Sequence, residues 1–202
     1  LPDDLPMDND ESLVLEAVDK VPVLVVEGRR EPRLIDCGAG YLMAAMGYAN
    51  GSALPLRSTV LQPRLIDLFN LDDEPLDQYH AIVLTDIGRL SRSQVVRLSE
   101  YVRRGGGVWL ALGGQMDWET FNRDVYADGQ GLSPLPMRES VGDAEDHQRF
   151  SMIQPPLEYH RSTAMLSDIQ RLDIDKVRIY RRHRFRMDMS LRNLGVLLTN
   201  EN

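Results

Sequence analysis

Three runs stand out along the chain: Val21-Pro22-Val23-Leu24-Val25-Val26, Tyr79-His80-Ala81-Ile82-Val83-Leu84-Thr85-Asp86 and Val108-Trp109-Leu110-Ala111-Leu112. Each is too short for a helix, lacks in-out alternation and stops at turn residues, which predicts strands buried on both faces. The stops are Glu27-Gly28, Thr85-Asp86 and Gly113-Gly114. Between the second and third runs, Ser91 is followed three positions later by Gln94, the spacing of a capping box. Val95, Leu98 and Val102 then supply one apolar stripe, and Gly105-Gly106-Gly107 offers the left-handed residue at which a helix stops. Between the first and second runs, Leu42, Ala45, Met46 and Ala49 recur at helical spacing. A short strand is expected around Ser58 to Leu61. Strand, helix, strand, helix, strand at this spacing predicts parallel pairing through right-handed crossovers. The expected architecture is therefore a doubly wound, mostly parallel α/β sheet with helices on both faces and strand order 2-1-3-4.

The flanks are less regular. Glu139 to Gln148 is polar and reads as a surface loop, Pro155-Pro156 punctuates the chain, and additional late strands are expected at Val177 to Met187 and Gly195 to Leu198. At the other end, Asp3, Asp4, Asp8, Asp10 and Glu11 crowd the first dozen positions. Residues 1–20 read as an extended acidic leading segment with an edge strand at Ser12 to Ala17, and residues 21–202 as a single α/β domain.

Composition narrows the partners more than the fold. The chain of 202 residues is 43% hydrophobic and 27% charged, ordinary for a globular domain, with a net charge of −8. That balance repels phosphate backbones, so no nucleic acid is expected as a partner. One cysteine, Cys37, excludes an internal disulfide and a cysteine-based zinc cage. The uncharged run from Cys37 to Leu56 is long enough to cross a bilayer, but Gly38, Gly40, Gly47, Asn50, Gly51, Ser52 and Pro55 break it, and a loop and helix are expected instead. The chain starts at Leu1 and stops just after the apolar run Leu194 to Leu198, which reads as a fragment of a longer protein.

Taken together, Val21 to Gly28, Tyr79 to Asp86 and Tyr101 to Leu110 resemble the class I glutamine amidotransferase-like domains of large bacterial membrane-anchored proteins. The parents of those domains often carry a Bat-type double transmembrane region, some with a von Willebrand factor A domain. Gln130-Gly-Leu-Ser-Pro134 and Asp4-Leu-Pro-Met-Asp-Asn9 also fit the pattern. The resemblance covers residues 1 to 135 well and the remainder loosely. It implies a flavodoxin-like sheet, an extracytoplasmic location, and membrane contact only through segments outside this chain. Fold alone implies no activity.

Chemistry is sparse along this scaffold. Active class I amidotransferases place a cysteine in Gly-x-Cys-x-Gly on a strand-to-helix elbow; here the matching turn is Leu110-Ala-Leu-Gly-Gly-Gln115, and its nucleophile position falls on Ala111 or Leu112. No His-x-Glu pair follows. Cys37 lies before the first helix rather than on the elbow and reads as a structural thiol. Gly38-Ala39-Gly40 opens like a dinucleotide fingerprint, but Met43 holds the third small-residue position and the strand ends far upstream, so no cofactor is expected. His80, His147, His160 and His183 show no metal-ligand spacing, and no metal is expected. Arg178, Arg181, Arg182, Arg184 and Arg186 form a basic run read as a solvated edge-strand face.

What remains is the carboxyl edge of the sheet, where open α/β folds bind ligands. Gly28, Asp86, Gly113, Gly114, Gln115 and Asp117 are the candidate ligand-binding residues there, with Asp117 also a candidate helix cap. The leading expectation is a catalytically silent amidotransferase-like domain that binds an unidentified protein or small molecule. The alternative is a hydrolase or sugar-directed enzyme with Asp86 and Asp117 as acid and base.

Overall fold

The computed structural model describes residues 19–29, 31–49, 52–53, 60–153 and 173–186. Four strands form one parallel sheet: β1 (Val21–Glu27), β2 (Leu61–Asp67), β3 (Ala81–Thr85) and β4 (Gly107–Ala111), in the order β2-β1-β3-β4. Val25 in β1 is flanked by Leu65 of β2 and Val83 of β3, and Val83 faces Trp109 of β4, so one register runs across the sheet. The architecture is α/β with the expected strand order, and every pairing in this sheet is parallel.

The two faces of β1 bury different sets of side chains because successive residues point to opposite sides. Leu24 and Val26 join Ile82, Leu84 and Leu98 in the larger core, to which α2 (Arg92–Arg103) and the segment Phe121–Tyr126 contribute. Val23, Val25 and Val83 face the other way, against Ala39, Met43 and Met46 of α1 (Gly38–Ala45) and its end. A fully buried aliphatic side chain such as Leu98 contributes about 1.5–3 kcal/mol relative to an exposed one.

Local signals hold where the sequence is explicit. Ser91 Oγ accepts from the Gln94 backbone N–H while the Gln94 side chain accepts from the Ser91 N–H, a complete capping box. Gly105 has φ +98 and receives the end of α2. From α2, Arg97 donates to the carbonyls of Leu71, Asp72 and Glu74 at 2.6, 2.5 and 2.7 Å. That clamp satisfies the polar backbone of a β2–β3 connection built only of short turns.

Several expectations are corrected. The strand placed at Ser58 to Leu61 lies at Leu61–Asp67; Pro63 and Arg64 hide it from an apolar-run search, and Pro63 is tolerated because β2 is an edge strand. The first helix starts four residues earlier than its expected stripe, burying Ala39 and Met43 and leaving Leu42 half-buried. β4 is not buried on both faces: it closes the other edge, and Trp109 is 59% exposed. Within the expected polar loop at Glu139 to Gln148 the chain instead enters a strand, β5 (Met137–Gly142), antiparallel to β6 (Arg181–Phe185). Buried Met137 and the edge-to-face contact of Phe185 with Phe121, 5.5 Å between centroids, anchor this hairpin to the larger core. Among the described residues of the Val177 to Met187 stretch, the late strand takes in Arg181–Phe185. The expected strands at Ser12 to Ala17 and Gly195 to Leu198 fall outside the described residues, as does most of the acidic leading segment.

The basic run is less solvated than expected. Arg182 reaches Ser151 Oγ, Arg184 pairs with Glu139 at 3.4 Å, and the Arg178 guanidinium lies 4.8 Å from the Phe150 ring centroid. Three of the five arginines are thus engaged by neighbouring side chains. Among the described residues no helix is long and apolar enough to cross a membrane.

Candidate ligand cleft at the carboxyl edge

Parallel pairing brings the carboxyl ends of all four strands to one edge, where three turns meet. The first follows β1. Glu27, 5% exposed, accepts from the backbone N–H groups of Arg29 and Ala39 and from Thr85 Oγ1, each at 2.9–3.0 Å, so a buried carboxylate ties β1, β3 and the start of α1 together. Gly28 passes directly under the next turn: a β-carbon there would lie 2.5 Å from the Asp86 carbonyl oxygen and 2.7 Å from Ile87 Cα. Its role is close packing of two turns.

The second turn follows β3. Asp86 has φ +44, a left-handed conformation uncommon for a residue with a side chain. Its N–H donates to the Ala111 carbonyl at 3.1 Å, and its Oδ1 accepts from the Gln115 N–H at 3.4 Å. The carboxylate therefore lies across Gly113, whose missing β-carbon leaves it room.

The third turn, Leu112 to Gln115, is held from the hairpin side. His183 Nε2 lies 3.0 Å from the Gly113 carbonyl, and Ser140 Oγ lies 2.8 Å from Nδ1. A carbonyl only accepts, so Nε2 carries the proton, and in the neutral ring Nδ1 accepts from the Ser140 hydroxyl. Arg181 stands beside Gly114, its Nη1 3.6 Å from where a β-carbon would be.

The second and third turns border a cleft of about 570 Å3. Its floor is the α1-side face of β3 and β4, with buried Val83 and Thr85 and more open Trp109 and Ala111; its wall is α1, with Tyr41, Leu42 and Ala45. Asp86, Leu112, Gly113 and Gly114 line it at the carboxyl edge. The size suits a small molecule, and an apolar lining with few polar groups is the usual chemistry of such a site.

Of the six candidate residues, Asp86, Gly113 and Gly114 line the cleft, and Gln115 supports Asp86 through its backbone. Gly28 packs behind the turns. Asp117 stands apart: both carboxylate oxygens accept from Thr120, from its N–H at 2.8 Å and its hydroxyl at 2.9 Å, and those bonds lower its pKa. It caps the following helical turn, α3 (Trp118–Thr120). Sequence reasoning missed Tyr41, Leu42, Ala45, Thr85 and Trp109 as cleft residues, and Glu27 and His183 as their supports. The one legible signal was Trp109, an indole in an otherwise aliphatic strand.

The turn after β4 presents the side chains of Ala111 and Leu112 to the cleft, and neither can attack a carbonyl. Cys37 is buried in the α1-side core, with Sγ donating to the Leu34 carbonyl at 2.9 Å. Burial pushes its thiol up, and the neighbouring Glu27 carboxylate adds to that against the lowering effect of the Gly40 backbone amide. Among the described residues no group of three His, Cys, Asp or Glu side chains is placed to hold a metal ion. No protein-family model matches the chain, and neither a curated protein nor a solved structure matches it.

Proposed function

We propose that this is a flavodoxin-like, amidotransferase-like domain without the amidotransferase reaction, a binding module whose ligand sits in the cleft at the carboxyl edge. We place it in the extracytoplasmic part of a larger membrane-anchored bacterial protein, on the resemblance carried by Val21 to Gly28, Tyr79 to Asp86 and Tyr101 to Leu110. One observation carries the binding reading: the cleft opens beside the elbow, and the elbow presents Ala111 and Leu112 where a thiolate is required. A covalent route through Cys37 is disfavoured, because that thiol is buried and held in its protonated form. The carboxylate-pair alternative loses support as well, since both oxygens of Asp117 are committed to Thr120.

The test has two arms. Incubation with glutamine yields no glutamate or ammonia above background, while a neutral environment-sensitive dye such as Nile red binds saturably and loses that binding in Ala45→Trp, which fills the cleft. Turnover of glutamine, or dye binding unchanged in a folded Ala45→Trp, overturns the reading.

A further inference from the structure

The side chains that line the cleft are apolar apart from those of Tyr41, Thr85 and Asp86. Thr85 lines the floor, and its one hydroxyl proton is shared between the Val26 carbonyl at 3.1 Å and Glu27 at 3.0 Å, so it has no further proton to donate to a ligand. Among the described residues that line the cleft, Asp86 is the one charged side chain. Its Oδ1 takes a long bond from the Gln115 N–H, and no lysine or arginine among the described residues forms an ion pair with it. Asp86 is half-buried and its carboxylate stays within reach of the cleft, where a cation can meet it. It is held in place by a left-handed backbone, by the absence of a β-carbon at Gly113, and by the Gln115 amide. Strain concentrated on a single residue lining a cleft is a feature of ligand sites.

The mouth adds a second feature of the same sign preference. Trp109 and Tyr41 border the cleft and are 59% and 68% exposed, large ring surfaces left open to solvent. Aromatic faces attract organic cations as well as apolar bodies. A single carboxylate with no second ligand group among the described residues is a poor metal site but a sufficient partner for one ammonium through a charge-assisted hydrogen bond. The volume, about 570 Å3, matches a small molecule rather than a folded partner.

We propose that the cleft binds small organic monoamines, with the ammonium on the Asp86 carboxylate and an apolar, ring-bearing body on Val83, Leu42 and Trp109. This rests on the reading of the cleft as a ligand site and adds the charge and class of the ligand.

Trp109 is a built-in reporter. In a Trp118→Phe background it is the sole tryptophan of the chain's two. Its fluorescence is titrated with 2-phenylethylamine, the neutral 2-phenylethanol and the anionic 3-phenylpropionate. The amine is expected to produce a saturable change at least about tenfold tighter than the alcohol, the advantage of one charge-assisted bond. The propionate is expected to give none. Asp86→Asn, chosen because asparagine tolerates a positive φ, is expected to bring amine and alcohol to equal affinity.

Equal binding of amine and alcohol by the unmutated carboxylate overturns the amine proposal and leaves the cleft as an apolar ligand site. Propionate binding as tight as the amine also overturns it, and assigns control of the cleft to Arg181. No saturable change with any of the three removes both the proposal and the reading beneath it. Because the wild-type carboxylate carries the decisive comparison, the outcome stands even if Asp86→Asn fails to fold.

Discussion

The Asp86 carboxylate occupies the space that a β-carbon on Gly113 would need. Two turns from different strands are thereby interlocked, one supplying a side chain and the other its absence. Gly113→Ala is expected to destabilise the domain by about 1–3 kcal/mol through overpacking, read from urea unfolding. In a double-mutant cycle, Asp86→Gly removes most of that penalty and also relieves the φ +44 strain. Gly107→Ala is the control, since a β-carbon there would meet nothing nearer than 3.8 Å. Additive effects of the two changes at Gly113 and Asp86 would contradict the interlock.

Cys37 offers a pH test. Its folded-state pKa is raised above the ordinary 9.0, so the stabilisation it contributes is full below that value and declines as pH rises from it toward the folded pKa. Cys37→Ala is expected to flatten the fall in stability between neutral and strongly alkaline pH. Alkylation by iodoacetamide in the native state is expected to be at least about tenfold slower than in denaturant, because both burial and the low thiolate fraction oppose it. Fast stoichiometric labelling of the folded chain would show that the thiol is neither buried nor protonated.

On the acid side, the Arg123 side chain donates to Asp124 at 2.8 Å and holds its carboxyl below the ordinary 3.8. A lowered folded-state pKa contributes stability above the unfolded value, and that contribution disappears as pH falls through the folded one. Asp124→Asn is therefore expected to be less stable than wild type at neutral pH, with the gap closing below pH 3.8. Thermal unfolding across that range is the measurement; a constant gap at all pH values speaks against the ion pair.

The capping box at α2 is open to a direct check. Ser91→Ala removes the acceptor for the Gln94 N–H and is expected to cost about 1 kcal/mol. Gln94 also donates to Asp72 at 3.2 Å, so Gln94→Ala is expected to cost more than Ser91→Ala and to loosen the β2–β3 connection in hydrogen exchange. Equal costs for the two would mean that the Asp72 bond contributes nothing.

What could be read from the sequence follows from how local each cause is. β1, β3 and β4 announce themselves because a continuous apolar run needs no distant partner to be recognised, and the Ser91–Gln94 box and Gly105 stop are written within a few residues of one another. β5 is different: Arg138, Glu139 and Ser140 carry no apolar alternation, and the segment becomes a strand only by pairing with Arg181–Phe185, far along the chain. β2 is masked by Pro63 and Arg64, which an edge position tolerates. A run of five apolar residues also cannot say whether it lies inside a sheet or at its border, which is why the exposure of Trp109 was missed. At the site, Asp86, Gly113 and Gly114 were legible as turn residues at the carboxyl edge. The wall of the cleft was not, because Tyr41, Leu42 and Ala45 join it only through the phase of α1.

Glu27 carries a further consequence. The first amide groups of a helix that follows a central strand are, in many α/β proteins, the seat of a phosphate. Here Ala39 N–H at the start of α1 is already bonded to a carboxylate covalently tethered one strand away, shielded from solvent and shared with Thr85. An incoming phosphate would meet a fixed negative charge where it needs a free donor, so the domain carries its own anion in the place where a nucleotide's would lie.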